Sequence, residues 1–229
     1  MTTASAARKE FGEGPLARAA ALVYSLLVLE VLLVLGAAPG LVLLGLLDRD
    51  ASNVPLAALC ALPLGPAWSA ALYAWHHRSR DLTELHPAKA YRRGYRAAVP
   101  GVFTLWAPWL VAMGLVGTVL THRDAAGVPG WWLGLLAVIA AVSALWMANA
   151  LVITALFTFK AVDTARLAAY FLVKSFKATV GNLCVLAAAV AVTAAGAQLL
   201  PLLLASVAAA GTLLNSRPMI TEIREEFTA

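Results

Sequence analysis

Charged residues are scarce in this sequence. Only 13% of its 229 residues are Asp, Glu, Lys or Arg, whereas 62% are hydrophobic. A soluble domain ordinarily has about a quarter charged and about half apolar residues, so this composition excludes a soluble globular protein. Several apolar runs reach the roughly 20 residues needed to cross a bilayer, and no polar stretch is longer than a loop. The sequence therefore predicts one integral membrane domain over residues 1–229, an all-α polytopic transmembrane helix bundle.

Motifs for several kinds of chemistry are also absent. The two cysteines, Cys60 and Cys184, are too few for a disulfide framework. The sequence contains no GxxxxGKS/T phosphate loop, no HExxH zinc motif and no GxSxG nucleophile motif. The adjacent His76 and His77 would point about 100° apart on a helix, which makes them a poor metal chelate. We therefore expect no enzymatic activity, no cofactor and no metal site.

Six transmembrane spans are predicted from hydropathy. They lie at residues 19–36, 54–76, 102–120, 132–157, 180–196 and 199–215. The apolar region at residues 16–47 is longer by about half than one span needs, at 1.5 Å per residue against a core of about 30 Å. Pro39 removes a backbone donor and Gly40 permits a turn, so the first helix is predicted to break there. The last two spans are predicted to separate near Gly196, Gln198 and Pro201.

Lysine and arginine are distributed unequally between the two sides of the predicted bundle. Fifteen of the 17 fall in the N-terminal tail, the second-to-third loop, the fourth-to-fifth loop and the C-terminal tail. Only Arg49 and Arg123 lie on the other side. Because positively charged loops stay in the cytoplasm, we expect a multi-pass protein of the bacterial plasma membrane with both termini cytoplasmic. The same asymmetry accounts for the net charge of +5, which therefore does not indicate nucleic-acid binding.

Two predicted cytoplasmic segments have similar sequences. Arg92–Gly101 reads RRGYRAAVPG and Val173–Asn182 reads VKSFKATVGN. The two loops that contain these segments are each predicted to form an amphipathic helix that lies along the inner leaflet and leads into a span. The similarity has two interpretations, an internal duplication or the common use of basic and aromatic residues as membrane anchors. The candidate residues for contact with lipid or a partner are Arg93, Tyr95, Arg96, Lys174, Phe176 and Lys177.

One carboxylate interrupts the apolar first span. Glu30 lies within LLVLEVLLVLG, and its neighbours on the same helix face are apolar, so a polar partner must come from another helix. Counting along the predicted spans places four residues at a similar depth: Asn149, Ser143, Thr193 and Ser206. Two roles fit Glu30, the proton-binding group of a small carrier or a hydrogen-bonding residue that joins helices. We take Glu30 and Asn149 as candidates for an intramembrane polar site.

The second predicted span contains residues that interrupt helices. Pro63, Gly65 and Pro66 lie within LPLGPAWSAALYAW. Such residues are tolerated in a membrane helix where neighbouring groups or water satisfy the freed backbone. Gly65 and Pro66 are therefore candidates for a binding site at a broken helix. The alternative is a kink that brings a run of small residues close to a neighbouring helix, namely Ala67, Ser69, Ala70 and Ala71.

At this segment the chain resembles the YesL-like integral membrane proteins of bacteria. The residues that carry the resemblance are Phe11-Gly12-Glu13-Gly14-Pro15-Leu16, Gly65-Pro66-Ala67, Ala70-Ala71-Leu72-Tyr73 and Gly94-Tyr95-Arg96. The resemblance extends over residues 11–216, and the high Ala and Leu content is similar to that of actinobacterial members. The chain departs from the family at Glu30, where many members have Asn, and in a longer path from there to the Gly-Pro-Ala segment.

The resemblance implies a polytopic membrane protein that occurs beside sugar-uptake ABC transporters and polysaccharide-degrading enzymes, and it supplies no catalytic residue. The expected function is therefore an accessory or transport-associated component of carbohydrate uptake. Its expected partners are the lipid bilayer and sugar ABC transporter components. Two alternatives stay open, a small proton-linked carrier that uses Glu30, and a structural or assembly protein without transport activity. The oligomeric state is not predicted.

Overall fold

The computed structural model describes residues 15–48, 50–78, 86–122, 127, 129–196 and 200–227. Its helices are α1 (Pro15–Leu46), a 3-10 turn (Ala51–Asn53), α2 (Val54–Cys60), α3 (Leu64–His76), α4 (Pro87–Thr121), α5 (Gly130–Leu156), α6 (Ala161–Lys174), α7 (Phe176–Ala194), α8 (Leu200–Leu203), α9 (Ala205–Asn215) and α10 (Arg217–Phe227). The predicted all-α fold class is confirmed. Several residues named above lie outside the described ones: Phe11, Gly12, Glu13, Gly14, Arg49, Arg123 and Gln198.

Four helices, α1, α4, α5 and α7, are each long and apolar enough to cross a membrane. The 3-10 turn and α2 form, together with α3, a bent pair that is a fifth candidate span. Five of the six predicted spans coincide with these elements to within two residues at the ends where they extend beyond them. The sixth, at residues 199–215, differs from its prediction because Leu204 divides it into α8 and α9. With 11 residues, α9 alone is about 16 Å long against a core of about 30 Å, so the sixth crossing would need α8 and α9 together.

The outer surfaces of the long helices are apolar. Large exposed side chains include Leu27, Leu35, Leu115, Val138 and Val190. On a soluble protein such continuous apolar surfaces would cause association, whereas lipid tails cover them in a bilayer. The described fold therefore fits a multi-pass membrane protein.

The predicted break in the first helix is wrong. α1 continues through Pro39 to Leu46 and has 32 residues. Gly40 is used for close packing and not for a turn, since a side chain there would collide with the carbonyl oxygen of Cys60. The proline costs one backbone hydrogen bond, which membrane helices tolerate where neighbouring groups compensate. At about 48 Å, α1 exceeds the bilayer core and must tilt or project from it.

The two predicted amphipathic helices differ from each other. α6 is a separate helix that buries Thr164, Ala168 and Phe171 and ends at a corner before α7. The hydroxyl of Thr179 donates to the carbonyl oxygen of Leu172 at 2.8 Å across this corner. The segment RRGYRAAVPG, by contrast, belongs to α4 and is continuous with the third span. The prediction of a separate surface helix is wrong for this segment, because Tyr91, Gly94, Ala98 and Val102 form one buried face that continues into the span.

Helix α3 lies at the centre of the bundle. It packs against α1, α4, α5 and α9, and most of its small residues are buried. Gly94 of α4 lies against Tyr73, because a Cβ atom there would be 2.7 Å from the Tyr73 Cβ atom. Small residues at such contacts let helix backbones approach closely. The core continues outward through larger buried side chains: Leu29, Leu33, Met147, Val152, Ile153 and Phe171.

Candidate functional site

Glu30 contacts the start of another helix. Its Oε2 atom accepts a hydrogen bond of 2.8 Å from the backbone N–H of Ser206. Ser206 is the second residue of α9, and the first N–H groups of any helix lack partners within that helix. The residue before α9 is Leu204, which provides no side-chain cap. Glu30 therefore supplies from α1 the acceptor that an Asp or Ser at the start of α9 would ordinarily provide.

Ser206 is one of the residues that its predicted depth indicated as a partner of Glu30, although its backbone N–H and not its hydroxyl donates the hydrogen bond. Asn149 makes a different contact, since its Nδ2 atom donates to the carbonyl oxygen of Ala168 at 3.4 Å. Asn149 thus joins α5 to α6 and makes no described hydrogen bond to Glu30. Two other expected residues donate to carbonyl oxygens of their own helices, Ser143 and Thr193.

The contact between Glu30 and Ser206 leaves two polar atoms unused. The Oε1 atom of Glu30 and the hydroxyl of Ser206 are buried and have no hydrogen-bond partner among the described residues. The sequences of α1, α4, α5 and α7 contain no other Asp or Glu. A series of titratable groups, such as proton-translocating bundles use, is therefore not formed by these helices around Glu30.

The predicted broken helix is confirmed at the junction of α2 and α3, which are bent by 41°. The indole Nε1 atom of Trp106 donates to the carbonyl oxygen of Ala61 at 3.1 Å, so α4 satisfies a backbone group at the break. Gly65 lies flat against the Trp106 ring, where a Cβ atom would be 2.7 Å from ring atoms. Pro66 is buried. These contacts favour the packing interpretation of Gly65 and Pro66 over an exposed binding site.

A cavity of about 460 Å³ lies between α3, α4, α5, α7 and α9. Its lining is mainly apolar and includes three indole rings, those of Trp68, Trp106 and Trp109. The polar residues are Thr212, whose hydroxyl donates to the Ala208 carbonyl oxygen at 2.9 Å, and Asn182. Asn182 accepts a hydrogen bond of 3.2 Å from Asn215, whereas its own NH2 group has no partner among the described residues. This cavity suits an apolar molecule with few polar atoms.

Sequence reasoning missed Asn182 as a site residue. It stands at the end of VKSFKATVGN, and the signal that it offered was an amide inside an apolar span. Such amides usually bond between helices, as Asn182 does with Asn215. The pairing joins α7 to α9, and only the fold shows that these two helices are neighbours.

The predicted contact residues on α4 do not all lie on the surface. Arg93 and Arg96 are exposed, together with Lys89 and Arg92. Tyr95 is half-buried and stacks on Tyr91 with 6.2 Å between ring centres. The exposed part of this segment is therefore basic, and its aromatic residue belongs to the packed side.

The predicted contact residues near the corner of α6 and α7 divide in the same way. Lys174 forms an ion pair with Glu222 of α10, and this carboxylate raises the pKa of Lys174 above its ordinary value, with a smaller contribution from Tyr170. Phe176 is 72% exposed, and Lys177 is exposed as well. Lys174 thus binds within the protein, whereas Phe176 and Lys177 face outward.

The fold and its apolar helices define the class, an all-α multi-pass membrane protein. Among the described residues, no three His, Cys, Asp or Glu side chains are grouped to hold a metal ion. Comparison with known proteins finds no family model, no curated protein and no solved structure that matches the chain. The resemblance to the YesL-like proteins therefore stays a prediction.

Proposed function

We propose that the protein is a non-enzymatic accessory component of a membrane transport system, associated with carbohydrate uptake through an ABC-type transporter. The link to sugar uptake comes from the sequence resemblance to the YesL-like family. In this proposal the protein lies in the bacterial plasma membrane with both termini in the cytoplasm, an orientation that the distribution of Lys and Arg supports. Sugar-transporter subunits and the surrounding lipid are its partners in this proposal.

The observation that carries the proposal is the hydrogen bond between Glu30 and the backbone N–H of Ser206. A carrier needs a proton-binding group that changes partners as access alternates between the two sides. Glu30 instead completes the start of α9, and the loss of that bond would expose an unsatisfied N–H among apolar helices. The carboxylate is thus accounted for by structure, which supports a protein that assists transport over one that drives it.

The cavity supports an accessory role over that of a sugar permease. A sugar has many hydroxyl groups, and each that loses water needs a hydrogen-bond partner in its site. Among mainly apolar residues, the cavity lining offers the side chains of Asn182 and Thr212 and the indole N–H of Trp109, which has no hydrogen-bond partner within the described chain. These few groups leave most hydroxyl groups of a sugar without a partner. A permeation path for sugar would then have to be formed by a partner.

We assign the contact with that partner to the corner between α6 and α7. Val173 is 81% exposed and Phe176 is 72% exposed, and the basic Lys177 lies beside them. Exposed aromatic and apolar residues next to a cation are typical of protein interfaces. A position near the predicted cytoplasmic ends of the helices would place this corner near a transporter's own cytoplasmic loops.

The experiment is affinity purification of the tagged full chain after cross-linking in native membranes. We expect permease, ATPase or sugar-binding subunits to be recovered with the wild type. The double variant V173S/F176S should reduce this recovery by roughly thirtyfold, as expected for the loss of a central interface contact. The matched control is V138S/I139S, which changes two exposed apolar residues of α5 and should leave recovery unchanged.

Two results would overturn the proposal. One is the recovery of no transporter subunit with the wild type. The other is proton-driven solute uptake by proteoliposomes that contain this protein alone, if Glu30→Gln abolishes that uptake. The second result would instead establish the carrier.

A further inference from the structure

The first turns of α4 present a basic face. Lys89, Arg92, Arg93 and Arg96 are all exposed, and none forms an ion pair with a described residue. They line a surface concavity together with Ala88 and Ala97. Four neighbouring cations that have no acidic partner among the described residues repel one another, so a complementary anion would stabilise this arrangement.

The six residues of this basic face form two parallel rows on the helix. One row is Ala88, Arg92 and Arg96, and the other is Lys89, Arg93 and Ala97. Residues four apart have Cβ atoms about 5–6 Å from each other, so Arg92 with Arg96, and Lys89 with Arg93, each form a pair of cations that can hold one phosphate group. The pairs are offset by three residues, about 4.5 Å along the axis. The basic face therefore offers two adjacent phosphate-sized sites, with an alanine at each end to leave room.

The packing of α4 keeps this face turned outward. Tyr91, Gly94 and Ala98 lie on the other side of the helix and are buried. Gly94 fits closely against the side chain of Tyr73. Rotation of α4 would replace Gly94 at this contact by a larger residue of α4, which would collide with Tyr73. The four cations thus have a fixed orientation.

The length of α4 places the basic face at the membrane surface. The helix has 35 residues and is about 52 Å long, roughly 20 Å more than the hydrocarbon core. The cations occupy residues 89–96, before the apolar part that crosses the bilayer. They therefore lie beside the layer of lipid headgroups, whose anionic members attract such residues.

We propose that the basic face of α4 binds one anionic phospholipid that carries two phosphate groups, a lipid of the diphosphatidylglycerol type. One phosphate binds between Arg92 and Arg96, and the other binds between Lys89 and Arg93. This site is independent of any transporter partner, so it goes beyond the proposed function and its failure would leave that proposal intact.

The test compares two lipids at equal total headgroup charge. The full chain is reconstituted in phosphatidylethanolamine nanodiscs with either diphosphatidylglycerol or phosphatidylglycerol, and retained lipid is measured by native mass spectrometry. We expect the wild type to retain diphosphatidylglycerol selectively. Each surface cation contributes about a fivefold factor, so R92Q/R96Q and K89Q/R93Q should each weaken retention by roughly thirtyfold and abolish the selectivity. The control K160Q/R166Q removes two exposed cations elsewhere and should change neither.

Three outcomes would overturn the proposal. Equal retention of the two lipids would mean that only the general surface charge attracts them. An effect of K160Q/R166Q as large as that of the α4 variants would show that the retained lipid does not bind at α4. Complete displacement of bound lipid by inorganic pyrophosphate would identify a site for a soluble diphosphate instead. Unchanged thermal unfolding of each variant in phosphatidylethanolamine alone confirms that the substitutions act on binding.

Discussion

Glu30 contributes one hydrogen-bond acceptor to a helix that begins among apolar neighbours. The Glu30 side chain, which accepts a hydrogen bond from the Ser206 N–H, acts as a helix cap supplied from a distant part of the chain. Such caps ordinarily contribute about 1 kcal/mol. An amide oxygen can accept the same bond without a charge.

The first prediction concerns this acceptor. Glu30→Gln should keep the thermal stability of the wild type, because its side-chain oxygen still accepts the N–H of Ser206. Glu30→Leu should lower the free energy of unfolding by about 1–2 kcal/mol, because the N–H is left without a partner. Circular dichroism of the detergent-solubilised protein measures the change. Leu27→Ala, at a position that is 63% exposed one turn away, controls for effects on α1 itself, and equal losses for the Gln and Leu variants would contradict the capping role.

Among the helices, α10 shows how an amphipathic segment is held to the bundle. Met219, Ile220 and Ile223 are buried and provide most of the attachment through apolar contact. The ion pair between Lys174 and Glu222 adds a link to α6, although exposed pairs of this kind contribute little and are screened by salt. The apolar face therefore holds α10 in place, and the ion pair makes part of its attachment dependent on pH.

The second prediction gives the sign of that dependence. Glu222 raises the pKa of Lys174 above its usual value of 10.5. A group whose folded pKa is raised contributes fully below its unfolded pKa and loses its contribution as the pH rises through the folded value. We therefore expect α10 to loosen above a pH of about 10.5. The measurement is the fluorescence anisotropy of a dye on E225C, in a background with Cys60 and Cys184 replaced, and E222Q should remove this alkaline step.

An alkaline step of the same size in E222Q would assign the pH dependence to another group. A wild type that shows no step would mean that the ion pair adds nothing measurable to the attachment of α10 by its apolar face. E226Q, which changes an exposed carboxylate of the same helix, is the matched control and should behave as the wild type does.

The whole molecule has an apolar exterior over its long helices and a charge distribution that is strongly one-sided. Fifteen of the 17 Lys and Arg residues occupy the predicted cytoplasmic segments. This asymmetry opposes insertion in the reverse orientation, because cationic loops near span ends resist translocation. The predicted orientation therefore follows from the chain as a whole and from no single residue.

The third prediction tests this orientation with single cysteines in a cysteine-free background. T121C, at the end of α4, should react with a membrane-impermeant maleimide on intact cells. K160C, before α6, should react only after the membrane is permeabilised. V190C occupies an exposed apolar position on α7 and should stay unreactive in both conditions because lipid covers it. The reverse pattern for T121C and K160C would invert the topology.

Much of the fold follows from features that are local in the sequence. Apolar runs predict α1, α5 and α7, and the cluster of Pro63, Gly65 and Pro66 predicts the break between α2 and α3. Such signals are readable because a membrane helix satisfies its own backbone and must be apolar along its length. The candidate site was predictable to the extent that an isolated carboxylate among apolar residues requires a partner on another helix.

Contacts between distant segments decided the rest. Glu30 and Ser206 are 176 positions apart, and the partner is a backbone group that no side-chain pattern reveals. Gly40 reads locally as a turn, yet the approach of the Cys60 carbonyl makes it a packing position in an unbroken helix. Likewise, Gly94 and Tyr73 fix the rotation of α4 and so turn its four cations to one face. Hydropathy records how apolar each segment is, whereas the direction in which each helix turns its few polar groups depends on the shapes of the neighbours that it meets.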